Sequence, residues 1–231
     1  MTEGCMKKLL ATCAALCGMS MAPGCLASAI ELAVGQRATV PVTSLKEIKF
    51  RKTTRQQFDF SCGSAALATL LTYHYDTPVS EKEVFEKMFL TGDQARIRQQ
   101  GFSMLDMKRY LDTRGFVGDG FQQPLDKLLD ARLPAIVLIS DRGYNHFVVI
   151  KGAEDGRILL GDPSSGARSV TRERFMELWA NKLLFVVHKF PGKATFNVAD
   201  DWRAAPRAPL GNGINLEQYS QSLPKFGPGD F

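Results

Sequence analysis

A glutamine stands six positions ahead of a cysteine in Arg55-Gln56-Gln57-Phe58-Asp59-Phe60-Ser61-Cys62-Gly63-Ser64-Ala65-Ala66. A thiol is a useful nucleophile only as the thiolate. The N-terminus of a helix, with its unpaired N–H groups and positive dipole end, favours that form. The apolar run after Ser61 predicts such a helix, with Cys62 at its start. A base must take the thiol proton, and His146 begins an apolar strand segment, His146-Phe147-Val148-Val149-Ile150, after a Gly143-Tyr144-Asn145 turn. The base needs an acceptor on its other ring nitrogen. Asp162 ends the next strand, across an Asp155-Gly156 hairpin, and comes within reach of His146. A tetrahedral intermediate also needs donors, which the Gln56 side-chain amide and the Cys62 backbone N–H are placed to supply.

Each residue also has a bland reading. A solitary buried cysteine is usually inert packing. His146 alone reads as a strand-end histidine, and Asp162 before Pro163 as a turn residue. Gln56 alone reads as surface, with Gln57 competing for its role. Order and placement favour chemistry, because the nucleophile opens a long helix and base and orienter share a later hairpin. His74, about three turns along the Cys62 helix, is too far away to serve as base. His188, on the last strand with no carboxylate near it in sequence, is read with His74 as structural.

These side chains need elements to hold them. Ser61 predicts a cap for a helix from Cys62 to Tyr75 whose apolar residues run nearly all the way round, as a buried central helix requires. Ser80 with Glu83 predicts a capping box for a helix ending near Phe89. Ser103 with Asp106 starts another, which Gly115 ends, and Pro124 opens a fourth. Strands then follow at Ala135–Ile139, His146–Ile150, Arg157–Leu160 and Leu183–His188, with a Thr171-capped helix before the last. Ala38–Val42 reads as an edge strand because Pro41 cannot donate to a ladder. Helices first and an antiparallel sheet second make an α+β fold, N-terminal helices packed on a C-terminal antiparallel sheet. From Ala194 onward the chain reads as an extended tail.

The N-terminus reads as a secretion signal: Lys7-Lys8, an apolar stretch from Leu9 to Met21, and small residues Ala27-Ser28-Ala29 at a cleavage site. Translation starts at Met1 or Met6. Cleavage after Ala29 removes Cys5, Cys13, Cys17 and Cys25 and leaves Cys62 alone, unable to form an internal disulfide. A lipoprotein anchored through Cys25 is the competing reading, against which Ala22-Pro23-Gly24 is a poor match. The apolar stretch is too short to span a bilayer. Losing Lys7, Lys8 and Glu3 takes the formal net charge from +5 to +4. Basic residues are scattered apart from a cluster in Lys46 to Arg55, which argues against nucleic acid. Three histidines and one mature cysteine show no metal-ligand spacing, so neither metal nor cofactor is expected. The expected layout is a signal at 1–29, an N-terminal extension at 30–54, a catalytic domain at 55–190 and a tail at 191–231.

Gln56 through Leu71 resembles the active-site segment of the bacteriocin-processing, double-glycine leader peptidases, a papain-like cysteine peptidase family. The likeness continues through Gly101-Phe102-Ser103-Met104-Leu105, Leu133-Pro134-Ala135-Ile136-Val137, His146–Ile150 and Gly161-Asp162-Pro163-Ser164-Ser165-Gly166. The resemblance implies a papain-like fold with Cys62 as nucleophile, His146 as base and acid, Asp162 as orienter and Gln56 as oxyanion donor. It also implies a narrow cleft for small residues such as Gly-Gly. Most members are cytoplasmic domains of peptide exporters, whereas this chain carries an export signal. It is closer to the stand-alone periplasmic peptidase-like proteins of functional-amyloid (Fap) secretion operons. Such a protein would meet a peptide or protein substrate, with amyloid subunits and an outer-membrane secretion pore as partners. The alternatives are a non-catalytic peptide-binding or chaperone module and a cell-wall amidase or acyl transferase on a papain-like core.

Overall fold

The computed structural model describes residues 28–31, 37–40, 43–141 and 143–206. Most of the signal segment with its four cysteines, the Cys25 anchor, the choice between Met1 and Met6, and the tail beyond Pro206 lie outside those residues. The chain divides into two units, residues 1–43 and 44–231. In the first, β1 (Ser28–Glu31) and β2 (Arg37–Val40) pair antiparallel, Ser28 opposite Val40 and Glu31 opposite Arg37. The expected cleavage point after Ala29 falls inside β1.

The second unit opens with α1 (Leu45–Phe50), whose capping box joins Ser44 and Glu47. Residues 44–54, the second half of the expected extension, fall in this larger unit. Next come α2 (Cys62–His74), α3 (Glu81–Thr91), α4 (Gln94–Gln100) and α5 (Met104–Thr113). Eleven of the thirteen α2 residues are buried, so this helix has no solvent face and must lie at the centre. Ser80 Oγ accepts from Glu83 N at 3.1 Å, which is half of the expected box. Ser103 and Asp106 make both halves. Gly115, at φ +77, ends the α5 turn in the left-handed region that glycine tolerates best.

The remaining elements are β3 (Val117–Phe121), α6 (Leu125–Ala131), β4 (Ala135–Asp141), β5 (Tyr144–Glu154), β6 (Arg157–Asp162), β7 (Gly166–Thr171), α7 (Arg172–Leu178), β8 (Leu184–His188) and α8 (Ala199–Trp202). The strands form one antiparallel sheet in the order β3-β8-β4-β5-β6-β7. Asp155 and Gly156, at φ +50 and +72, turn the β5–β6 hairpin as their residue types demand. The sheet has a core on each face. Phe185 and Val187 of β8 join α2 to α5, while Leu184 and Val186 of the same strand join α6 and α7. That period of two is the signature of a strand buried on both sides. The expected α+β layout, helices packed on an antiparallel sheet, is the one observed, with α6 and α7 added on the far face. No helix among the described residues is long and apolar enough to cross a membrane.

Residues 195–206, the described part of the segment after Ala194, are packed and include the short helix α8. Phe196, Trp202 and Ala205 are buried, and Trp202 Nε1 donates to Asn197 Oδ1 at 3.0 Å. The anchor is Lys151, at the β-bulge in β5 and with no exposed surface. Its Nζ donates to the Lys52 carbonyl at 2.6 Å and pairs with Asp201 Oδ2 at 3.2 Å. Burial lowers its ammonium pKa, with Asp201 pulling the other way. A lysine buried this completely requires such a counter-charge, and the C-terminal segment carries it.

Candidate active site

Cys62 opens α2, only 8 % exposed. Ser61 precedes it as expected, but its hydroxyl does not cap the helix. It turns back to the Phe58 peptide, accepting from Phe58 N at 3.1 Å and donating to Phe58 O at 3.0 Å. The first N–H groups of α2 are thereby left to the sulfur, with the backbone N–H groups of Cys62 and Gly63 joined by that of Phe147 from β5. Gly63 lets α5 come close. A Cβ there would meet Phe102 Cβ at 2.9 Å and Met107 Cε at 3.0 Å.

The expectation of a depressed thiol pKa is corrected. Burial pushes the Cys62 thiol up from its ordinary value, the backbone donors pull it down, and the Asp162 charge adds to the rise. Enclosure outweighs the helix end because a buried thiolate loses the water that would solvate its charge.

His146 and Asp162 are brought together. Val149 of β5 lies opposite Gly161 of β6, so Asp162, one residue on, stands diagonal to His146. His146 Nε2 lies 3.1 Å from Asp162 Oδ2, and both side chains are almost fully buried. His146 Nδ1 is buried without a hydrogen-bond partner. Asp162 Oδ1 accepts from Ser164 Oγ at 2.6 Å and from the N–H groups of Ser164 and Ser165 at 2.9 and 3.3 Å. Arg168 Nε donates to Oδ2 at 3.1 Å, sharing it with His146. Burial would raise the Asp162 carboxyl. The hydrogen bonds from His146 and Ser164 and the His146 charge overcome it and hold the group well below the usual carboxylate range.

Gln56 is tied to the same corner, its N–H donating to the Pro163 carbonyl at 3.1 Å. Its Nε2 donates to Phe58 O at 3.1 Å, and its Oε1 is buried without a partner. The amide stands beside the Tyr144 hydroxyl. His146 and Asp162 are bonded, Gln56 is tied to the Pro163 that follows Asp162, and His146 Nδ1 and Gln56 Oε1 lack partners. Buried polar atoms without partners are uncommon and mark places where a ligand or a reaction supplies the missing bond.

Two contributors went unnoticed in the sequence. Tyr144 belongs to β5 rather than to a turn, so it shares a side of the strand with His146. Their rings stack with centroids 5.2 Å apart. The signal was the two-residue spacing of Tyr144 and His146. Arg168 gave no signal, because its role depends on the β6–β7 pairing that sets Leu160 opposite it. The other histidines are outside the site. His74 Nδ1 lies 2.6 Å from Thr195 O, and His188, expected to lack a carboxylate, pairs with Asp119 Oδ2 of β3 at 2.6 Å. Among the described residues no cluster could hold a metal ion.

Comparison with known proteins finds relatives of this chain. The protein "Probable functional amyloid protease FapD" of Pseudomonas fluorescens is 43% identical over 146 residues, covering 63% of this chain. Its namesake in Pseudomonas aeruginosa is 40% identical over the same length. The aligned stretch spans 64% of each relative. The solved peptidase domain of Streptococcus ComA, from an ABC transporter of a quorum-sensing pathway, is 23% identical. It aligns at a TM-score of 0.49 over 59% of this chain and 96% of its own. The Peptidase C39 family profile matches residues 51–190. Because that stretch is more than half of the chain and includes Gln56, Cys62, His146 and Asp162, the protein belongs to the Peptidase C39 family.

Proposed function

We propose that the protein is a cysteine peptidase with Cys62 as nucleophile, His146 as general base and acid, and Asp162 as the residue that orients His146. The observation that carries this is the bare Nδ1 of His146. The ring is fixed by buried Asp162 through Nε2, so its other nitrogen has a set direction and nothing bonded to it. Proton transfer from the Cys62 thiol to Nδ1 produces the thiolate. Sulfur then attacks the peptide carbonyl, and the oxyanion is met by the Cys62 N–H and a Gln56 amide N–H. His146 gives its proton to the leaving amine, and water, deprotonated by His146, releases the acyl group and restores the thiol.

The substrate is an extended segment with glycine or another small residue before the scissile bond, as the family resemblance implies. The relatives' name supports an amyloid subunit, or a protein exported with it, as that substrate. The signal-like N-terminus supports action in the periplasm, beside an outer-membrane secretion pore. The competing reading is a peptide-binding module that keeps Cys62 as packing, which its place among the buried core residues of α2 favours.

Iodoacetamide labelling of Cys62 against pH, in wild type and His146→Ala, separates the two. Labelling that is faster in wild type than in His146→Ala at each pH is the expected result, because His146 takes up the proton that burial would otherwise keep on the sulfur. Labelling that titrates as a free thiol in both proteins would favour the binding module. Cys62→Ala should fold and cleave nothing.

A further inference from the structure

Cys62 and His146 are enclosed, and a half-exposed ring stands beside them. Cys62 is 8 % and His146 5 % exposed, while Tyr144, stacked on His146, is 49 % exposed. The phenol thus has one face on the buried imidazole and the other in water. Its hydroxyl donates to the Asp59 carbonyl at 3.3 Å, joining the start of β5 to the segment that leads into α2. The ring also lies within electrostatic reach of Cys62 and Asp162, and the Gln56 amide is beside its hydroxyl. One side chain is therefore stacked on His146, stands beside the Gln56 amide, and ties the start of β5 to the segment that leads into α2.

We propose that Tyr144 is the specificity-determining residue of this cleft, a roof over the Cys62–His146 pair that admits only glycine on the acyl side of the scissile bond. The inference rests on the peptidase reading and names the residue that makes the cleft narrow. The reacting carbonyl must pass beneath a ring whose spacing from His146 is set by stacking. A glycine can enter as bare backbone, whereas a Cβ at that position meets the ring. The bond to the Asp59 carbonyl holds the roof down in the free protein. Its release lets the peptide in and frees the space beside Gln56 for the oxyanion.

Tyr144→Ala removes the roof, and Tyr144→Phe keeps the ring while deleting the tie to Asp59. Two readouts are needed. The first is kcat/KM for a pair of peptides with glycine or leucine on the acyl side of the cleaved bond. Wild type and Tyr144→Phe should prefer glycine strongly, and Tyr144→Ala should reduce that preference by about tenfold or more, the scale on which a pocket wall discriminates. The second needs no substrate. The ratio of Cys62 labelling by fluorescein maleimide to labelling by iodoacetamide should rise about tenfold in Tyr144→Ala and stay near wild type in Tyr144→Phe. If no form cleaves any peptide, the peptidase reading fails while the labelling ratio still decides whether Tyr144 is the roof. Unchanged ratios in Tyr144→Ala would overturn the proposal.

Discussion

His74 should make the protein lose stability in mild acid, well above the pH at which carboxylates titrate. It ends α2, almost wholly buried, with Nδ1 bonded to the Thr195 carbonyl and Nε2 without a partner. Burial and the neighbouring Lys151 ammonium bring its pKa down from 6.5 to about 4, with the Thr195 carbonyl and Asp201 opposing. The folded protein thus refuses a proton that the unfolded chain accepts near 6.5. The His74 contribution is whole above that pH and is lost as pH falls toward about 4. The full difference corresponds to ~3 kcal/mol, of which about 2 kcal/mol is gone by pH 5. Urea unfolding between about pH 7.5 and 5 measures it, with His74→Asn as reference. Asparagine keeps a donor for the Thr195 carbonyl and does not titrate. Wild type should lose about 2 kcal/mol more than His74→Asn across that interval. Parallel stability lines for the two proteins would refute the burial argument.

Gly63→Ala forces a methyl group against Phe102 and Met107 and should cost about 1–3 kcal/mol in urea unfolding, with Cys62 labelling disturbed as α2 shifts from β5. Arg168→Met removes a guanidinium from Asp162, whose lowered pKa makes its contribution present above the ordinary carboxylate value and lost as pH falls below it. With the Arg168 side chain partly exposed, the loss should be about 1 kcal/mol near pH 7 and smaller near pH 3, as read by thermal unfolding at both.

Local rules made much of this chain legible. Ser80, Ser103 and Thr171 each accept from the residue three further on, and the Asp155-Gly156 turn falls where its residue types require. Those features are decided within a few residues, and so are readable in a row. The meeting of His146 with Asp162 was also legible, because a tight hairpin leaves few ways to place the two strand ends. Ser61 shows the limit. Its position at the head of α2 was plain, but its hydroxyl prefers the Phe58 peptide, a choice made by the bend before the helix. The rise in the thiol pKa was hidden for the same reason, since a helix end can be seen in sequence and the burial that opposes it cannot. His188 found its carboxylate across a strand pairing, as β3 and β8 are separated by most of the sheet's sequence. β3 itself, Val-Gly-Asp-Gly-Phe, has too few β-formers to announce a strand and owes its state to that partner.

The pairing of Lys151 with Asp201 bears on how this family can be modular. The shared profile stops at residue 190, eleven positions short of the carboxylate that neutralises a lysine inside the shared part. A fragment trimmed to the common boundary would keep every side chain of the candidate site and still contain an orphan ammonium in its interior. Breaking one side of a buried pair commonly costs about 3–5 kcal/mol, a large share of what holds a domain of this size. Ancestry and autonomy are therefore bounded at different residues in this chain. A relative that ends at the common border must have settled the charge at position 151 by other means, through a neutral side chain or a carboxylate drawn from another direction.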